Sequence, residues 1–289
     1  MWTNYHCHSN YCDGKSNLEE YVISAIEKNF MSIGFSSHTP LPFENEWSMK
    51  ESNLGNYANE IAYLKEKYQK KIEIYRSLEI DYIDQIFDKN HSILANIKLD
   101  YTIGSLHFLG QFENGKHFEI DGNTQIFVKG LERIWQNDQD FLVTNYFESI
   151  SKMIANTAPT VIGHFDKIRF HQDLNQKSII DIYSETYQKE AIKCLTTLSK
   201  SESFLEINTR GMYKKDLSEP YPSLDLIRIA NELNIPLLLN SDSHAPAEID
   251  SKFAALAPIL IKNGVQKLKV LKEGFWIDAK LTENGLKIL

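Results

Sequence analysis

Apolar positions along the chain change period repeatedly. The segment from Trp2 opens as a short strand. Residues 31–38, 72–80, 99–107, 160–164, 203–208 and 235–240 are then short apolar or alternating runs of strand length. Between them the spacing turns helical. Residues 18–26 place Tyr21, Val22, Ala25 and Ile26 on one face behind a Ser16-Asn17 cap with Glu19 and Glu20 in the first turn. Residues 56–70, 83–96, 141–155, 179–200 and 223–233, the last capped by Ser223, read as further helices, and one or two helices are expected to close the chain. The stretch 110–140 mixes polar and aromatic residues without either period and reads as an insertion. Residues 43–49, after the breakers Pro40 and Pro42, read as a loop with Phe43 and Trp47 in it.

Strand-then-helix units in series imply parallel strands joined by right-handed crossovers. The polar residues at the strand ends favour a closed barrel over an open sheet. Barrel enzymes build their sites from the C-terminal end of strand after strand, whereas an open doubly wound sheet gathers them at one switch point. No repeat of solenoid length and no low-complexity linker is visible, so a single domain spanning residues 1–289 is expected.

Composition narrows the function. The 289 residues carry a net charge of -8, which argues against a surface that wraps nucleic acid but leaves room for a local basic pocket. No apolar run reaches the roughly 18 residues of a membrane span, and the N-terminus lacks a basic-then-apolar signal. Cys7, Cys12 and Cys194 are odd in number and form no Cys-x-x-Cys pair, so no disulfide framework is expected. A cytoplasmic protein without membrane or nucleic-acid partners is the natural expectation, and its oligomeric state is left open.

The chemistry lies at the strand ends: His6, His8 and Asp13; His38; Glu79; His107; His164; Asp242 and His244. His6 and His8 are two apart in an extended segment, so both imidazoles face one side while Cys7 faces the other. A lone histidine is more often a packed or surface residue than a ligand. Six of the nine histidines at such positions are a different matter, because chance would scatter them over helices and loops as well. Nine nitrogen and carboxylate ligands exceed the needs of one ion. Two ions sharing a bridging carboxylate use about seven, and three use them all. The donor set suits Zn, Mn or Fe without choosing between them. Clustered ions activate water to hydroxide and neutralise a phosphoryl group, so phosphate-ester hydrolysis is the chemistry such a site favours.

These residues carry a resemblance. His-x-His-x4-Asp-Gly near the N-terminus, Ser-His-Thr-Pro-Leu-Pro-Phe, Ser-Leu-Glu-Ile-Asp, Gly-Ser-Leu-His-Phe, Gly-His-Phe-Asp and a late Ser-Asp-Ser-His resemble the polymerase-and-histidinol-phosphatase (PHP) family, from His6 to about Ala245. Within that family the chain looks most like its histidinol-phosphatase members. The resemblance implies a distorted (β/α)7 TIM-like barrel with three divalent metal ions at the C-terminal ends of the strands. It implies one ion on His6, His8, Glu79 and Asp242, a second bridged by Glu79 and held by His107 and His164, and a third on Asp13, His38 and His244. Glu79, Asp242 and His244 are expected to act in catalysis, and L-histidinol phosphate, a small phosphate ester of histidine biosynthesis, is the expected substrate.

A phosphomonoester dianion also needs cations from the protein, and arginine's fork suits it. Arg169 and Arg210 lie just beyond strand ends and are expected to bind the phosphate, with His171 a further candidate; the plainer alternative for each arginine is a solvated loop residue. The loop from Leu41 to Trp47 either shapes a pocket for an imidazole and an ammonium group or caps the barrel. Two other functions compete: a PHP phosphoesterase acting on nucleotides, oligonucleotides or phosphotyrosine, and a non-catalytic metal-binding barrel. The nuclease version lacks a basic stripe, and a non-catalytic barrel would be expected to lose ligands that this chain retains.

Overall fold

The computed structural model describes residues 1–84, 97–171 and 178–288. The helix expected over 83–96 therefore lies, from residue 85 onward, outside the described residues. β1 (Thr3–Asn4), β2 (Ser32–Phe35) and β3 (Glu73–Arg76) form one parallel sheet in chain order. β4 (Glu79–Asp81) and β5 (Ile103–Ser105) begin a second, and a hairpin of β6 (Phe108–Gln111) and β7 (His117–Glu119) follows. The second sheet continues with β8 (Val161–Ile162), β9 (Phe204–Asn208) and β10 (Leu237–Asn240), again all parallel, in the order β10-β9-β8-β5-β4.

The run over 72–80, expected as one strand, is two. After β3 the chain bends at Ser77-Leu78: the Ser77 amide donates to Phe35 (2.7 Å), while the Leu78 carbonyl accepts from Ile103 (3.1 Å) in the other sheet. That bend carries Glu79 from one sheet to the next. The two sheets meet at two isolated parallel bridges, His38 with Glu79 and Cys7 with Ser243. At the second, the His8 amide donates to Ser243 (2.8 Å) and the Ser243 amide to His6 (3.1 Å). The result is an α/β fold of parallel strands in two abutting sheets. Among the described residues, these strands do not form one continuous closed sheet.

Helices cover the sheets where the period-3.6 spacing expects them. α1 (Leu18–Glu27) buries Leu18, Tyr21, Val22 and Ala25, and Asn17 caps it by accepting the Glu20 amide (3.0 Å). α2 (Leu54–Tyr68) packs beside β3. The stretch expected as an insertion folds as the hairpin and α3 (Thr124–Arg133), whose Gly130 sits against the Phe118 ring. A Cβ there would come within 2.3 Å of that ring, so only glycine allows the helix to approach. α4 (Gln139–Thr157) and α5 (Glu185–Leu198) pack on each other, and α6 (Arg210–Lys214) and α7 (Leu224–Glu232) follow.

The chain's end departs from expectation. One helix, α8 (Phe253–Lys262), is followed by an antiparallel sheet of β11 (Lys267–Lys272), β12 (Phe275–Thr282) and β13 (Gly285–Ile288), not by a second helix. The reason is period-2 spacing, with Leu268 and Val270 buried between lysines. A two-residue turn then reverses the chain at Glu273-Gly274, both at positive φ (51° and 81°).

Candidate metal centre

The ligand candidates converge because each follows a parallel strand. His6 and His8 come after β1, His38 after β2, His107 after β5, and His164 after β8. Asp242 and His244 follow β10, while Glu79 opens β4. Asp13 arrives from the tight return before α1. There Gly14 lies so close to Ser9 that a Cβ would come within 2.4 Å of its amide nitrogen, and the Gly14 amide donates to the Ser9 carbonyl (3.0 Å). Asp242 itself has φ 56°, a left-handed conformation that is costly outside glycine and is held here by the surrounding strand ends.

Glu79 is the hub. Its Oε2 lies 3.1 Å from His38 Nδ1, 3.2 Å from His6 Nε2 and 3.3 Å from His8 Nε2; its Oε1 lies 2.9 Å from His164 Nε2 and 3.7 Å from His107 Nε2. Asp242 Oδ1 stands 3.3 Å from His8 Nε2 and 3.7 Å from His6 Nε2. Asp13 reaches His244 Nε2 (3.1 Å) and His8 Nδ1 (3.6 Å). Four sets of donor atoms lie within 4.8 Å of one another: His8, Asp13, His38 and His244; His6, Glu79 and His164; His6, His8 and Asp242; His38, Glu79 and His107. All nine sequence-expected ligands are therefore brought together. His107 and His164 fall in separate sets, each sharing Glu79.

The residues fit divalent cations on their own evidence. His6 Nε2, His8 Nε2 and His38 Nδ1 are buried without any hydrogen-bond partner among the described residues, yet all three face carboxylate oxygens. Buried polar atoms without partners are costly, and imidazole nitrogen with carboxylate oxygen is the donor mixture that borderline divalent ions take.

Sequence reasoning missed the residues that hold these imidazoles. Glu206 Oε1 is 2.6 Å from His6 Nδ1 and accepts from Asn240 Nδ2 (2.9 Å). Its Oε2 accepts the His164 amide (2.8 Å) and Asn208 Nδ2 (2.9 Å). Asp81 Oδ1 bonds His107 Nδ1. Each carboxylate fixes the tautomer of its imidazole, so the opposite nitrogen faces the cluster. A signal existed in the carboxylate two residues from another polar group at a strand end, Glu79-x-Asp81 and Glu206-x-Asn208, since such pairs share a face.

The expected phosphate binders separate. A cavity of about 170 Å³ opens over the cluster; Asp13, Trp47, Glu119, Lys167 and Arg210 are among its walls. Arg210 Nη1 lies 2.7 Å from both His244 Nδ1 and the Asp242 carbonyl. Arg169 is not in that wall. Its Nε donates to Asp166 Oδ2 (2.8 Å), another nitrogen donates to the Pro220 carbonyl, and the guanidinium lies 4.9 Å from the Tyr221 ring centre. His171 also lies elsewhere, stacked 4.2 Å from Phe127 and bonded to Thr124 Oγ1 (3.0 Å) and the Ile120 carbonyl (2.9 Å), where it ties α3 to the body. The cavity shares Trp47 and Glu119 with a wider groove of about 1060 Å³. Phe43 stacks on His117 there, and Trp47 stacks on Phe108.

Residues 4–210 match the PHP domain family, nearly three-quarters of the chain. The chain belongs to that family. Among curated relatives, the histidinol-phosphatase of Bacillus subtilis is 27% identical over 265 residues, covering 86% of this chain and 96% of that one. A "Probable histidinol-phosphatase" of Deinococcus radiodurans is 26% identical over 254 residues, covering 86% and 88%. Among solved structures, histidinol phosphate phosphatase from Lactococcus lactis, complexed with zinc, L-histidinol and phosphate, superposes with a TM-score of 0.73 at 22% identity. That match covers 99% of this chain and 98% of the other and shows a shared fold.

Charge within this PHP domain is divided between two kinds of imidazole. Burial pulls the pKa of His6 down, but Glu206, Asp242 and Glu79 outweigh it and raise the value to about 10. His8 is likewise buried, and Asp242, Cys12 and Glu79 carry it well above the ordinary histidine range. His107 is raised to about 8 because Asp81 overcomes burial and Lys167. His164 and His244 go the other way, to about 4 and about 3, through burial and then the neighbouring cations Lys167 and His8 respectively. Burial disfavours charge on Glu79 and Asp242, yet the surrounding imidazoles hold both well below the usual carboxylate range.

Proposed function

We propose that this PHP domain is a metal-dependent histidinol-phosphatase, hydrolysing L-histidinol phosphate to L-histidinol and phosphate. The observation that carries the chemistry is the convergence of buried imidazoles, three with an unpartnered nitrogen, on Glu79 and Asp242. The specificity rests on the names of relatives aligned over most of the chain and on a groove that offers aromatic faces beside Glu44, Glu46 and Glu119. An imidazole stacks on such faces and an ammonium pairs with such carboxylates.

In this reading three divalent ions are held as the family resemblance assigns them. His6, His8, Glu79 and Asp242 would hold one, Glu79 with His107 and His164 the second, and Asp13, His38 and His244 the third. When bound, such ions neutralise phosphoryl charge and lower the pKa of water. The chain's own residues do the rest. Glu206 and Asp81 keep His6 and His107 in the tautomers that present Nε2 inward. Arg210, anchored on the Asp242 carbonyl, presents its guanidinium to an entering phosphate from the cavity wall. Trp47 walls the cavity beside His38, with ring centres 4.5 Å apart, and excludes water from that side. The parallel order and the two bridges between sheets support a single domain built as a distorted (β/α)7 barrel. No helix among the described residues is long and apolar enough to cross a membrane, and a cytoplasmic setting suits a small soluble substrate.

The test is phosphate release from L-histidinol phosphate, p-nitrophenyl phosphate and a dinucleotide by protein loaded with Zn or Mn. The expected result is a kcat/KM for histidinol phosphate larger than the others by several orders of magnitude. Similar, weak rates on both monoesters would remove the substrate assignment, and no turnover with metal bound would remove the phosphatase.

A further inference from the structure

The cavity over the cluster is strongly acidic for a pocket that takes a phosphate ester. Asp13, Glu79, Glu119, Asp121 and Asp242 all line it. Apart from imidazoles, its cationic walls among the described residues are Arg210 and Lys167. Lys167 is set there by the turn after β8. Its amide donates to the His164 carbonyl (2.9 Å), folding the chain back so that the side chain returns over the strand end while Arg169, two residues on, turns into the wall behind Asp166. The Lys167 side chain is only 8% exposed. Its Nζ is 2.8 Å from Asp121 Oδ2 and 3.2 Å from His107 Nε2.

We propose that Lys167 is the second cation that grips the substrate's phosphate, sharing the cavity wall with Arg210 and tethered there by Asp121; the inference rests on the phosphatase reading above. Burying an ammonium is expensive, and one carboxylate would satisfy it as well on the surface. Here it is instead held at the wall of the reaction cavity, against the inward nitrogen of His107. An ammonium carries three hydrogens; Asp121 takes one, and the His107 Nε2 it approaches is the nitrogen that the proposed reading gives to a metal, which leaves donors for a ligand oxygen. A lysine suits the place because it binds phosphate as a point charge and needs no planar fork. Arg210, by contrast, is already oriented by the Asp242 carbonyl and His244. The two cations therefore come from the same ends of neighbouring parallel strands, β8 and β9. Such a grip acts on the ground-state dianion, so its loss weakens binding more than it slows turnover.

The test compares wild type with Lys167→Met and Lys167→Arg, all zinc-loaded with metal content measured. Binding of inorganic phosphate and of L-histidinol, which lacks the phosphate, is measured by calorimetry beside steady-state kinetics. The expected result for Lys167→Met is phosphate affinity lower by about 10- to 100-fold, as losing one charged hydrogen bond implies. KM for histidinol phosphate should rise by a similar factor, with kcat within a few-fold, L-histidinol affinity unchanged and metal content full. Lys167→Arg should recover most of the phosphate affinity. Unchanged phosphate affinity in Lys167→Met overturns the proposal. So does loss of a metal equivalent with phosphate and L-histidinol binding falling together, which would make Lys167 a strut between Asp121 and His107. Wild-type protein that shows no preference for histidinol phosphate, while Lys167→Met still loses phosphate affinity, would sink the substrate reading and leave this assignment standing.

Discussion

Two groups of buried charge stand at the ends of the same parallel strands, and they are built in opposite ways. Around Asp166 the chain supplies its own counterion. Oδ2 accepts from Arg169 Nε (2.8 Å), the Ser223 amide (3.0 Å) and the Tyr187 hydroxyl (3.1 Å), and Tyr221 packs on the guanidinium. Around Glu79, among the described residues, no lysine or arginine closes the network in that way. Five imidazoles converge on one carboxylate, and three of their nitrogens have no hydrogen-bond partner. Asp166 Oδ1 also lacks a hydrogen-bond partner among the described residues, but the charge of Asp166 is paired with Arg169 within the chain, whereas the imidazole nitrogens around Glu79 and the carboxylates they face leave the place of a cation open. The first group is architecture and the second is a receptor for cations. Position at a strand end does not distinguish them; the pairing does.

The sharpest way to break this contrast is to remove the hub. Glu79→Ala should lower kcat on the order of 10³-fold or more if Glu79 holds two ions as proposed, since it would then support most of their charge neutralisation. It should also shed at least one metal equivalent while circular dichroism stays that of the wild type. Full turnover at unchanged metal content would end Glu79's role as a bridge.

The converse substitution belongs to the other group. Arg169→Met leaves the Asp166 carboxylate buried without its cation, a loss of about 3–5 kcal/mol. Burial already holds the Asp166 pKa above its ordinary value even with Arg169 beside it, so the bare carboxyl will tend to take up a proton. Melting should fall on the order of 10 °C, with metal content and the KM of the surviving folded protein little changed. A rise in KM at unaltered stability would instead return Arg169 to the phosphate.

Much of this architecture was legible in the residues. Strand ends carrying histidine mark the cluster because a parallel strand points a side chain into the site there, so the nine candidate residues that converge could be named from pattern and family resemblance. What stayed hidden depends on the direction of a side chain after a turn. Arg169 and Lys167 both lie in Asp-Lys-Ile-Arg, and only the folded turn tells that Lys167 faces the cavity and Arg169 the wall. Glu206 and Asp81 are silent for a related reason, because a carboxylate that bonds a ligand's far nitrogen looks like any strand-end acid until the imidazole is placed. The terminal sheet was missed where lysines alternating with Leu268 and Val270 resemble an exposed helix, although the Glu-Gly and Asn-Gly pairs that flank β12 announce hairpins.

The finest distinction between the two groups concerns protons. In the metal-free protein the carboxylates around them raise His6 to about 10, His8 well above the ordinary range and His107 to about 8, so at pH 7 the cluster is expected to hold protons that a metal must displace. His164 and His244, near about 4 and about 3, have none to give at that pH. Zinc added to stripped protein in weak buffer at pH 7 should therefore acidify the solution. Its apparent affinity should climb about tenfold per pH unit for each proton displaced, flattening as pH passes from 8 toward 10. Stability follows the same sign. A histidine whose folded pKa is raised stabilises the metal-free fold fully below its unfolded value of about 6.5, and the contribution is lost as pH rises through the folded value. Melting of stripped protein should thus fall between pH 7 and 10, while zinc-loaded protein, whose ligands no longer carry those protons, should change little over that range. Uptake of zinc without proton release, or parallel melting curves for both forms, would mean that the imidazoles around Glu79 are as closed a network as the one around Asp166.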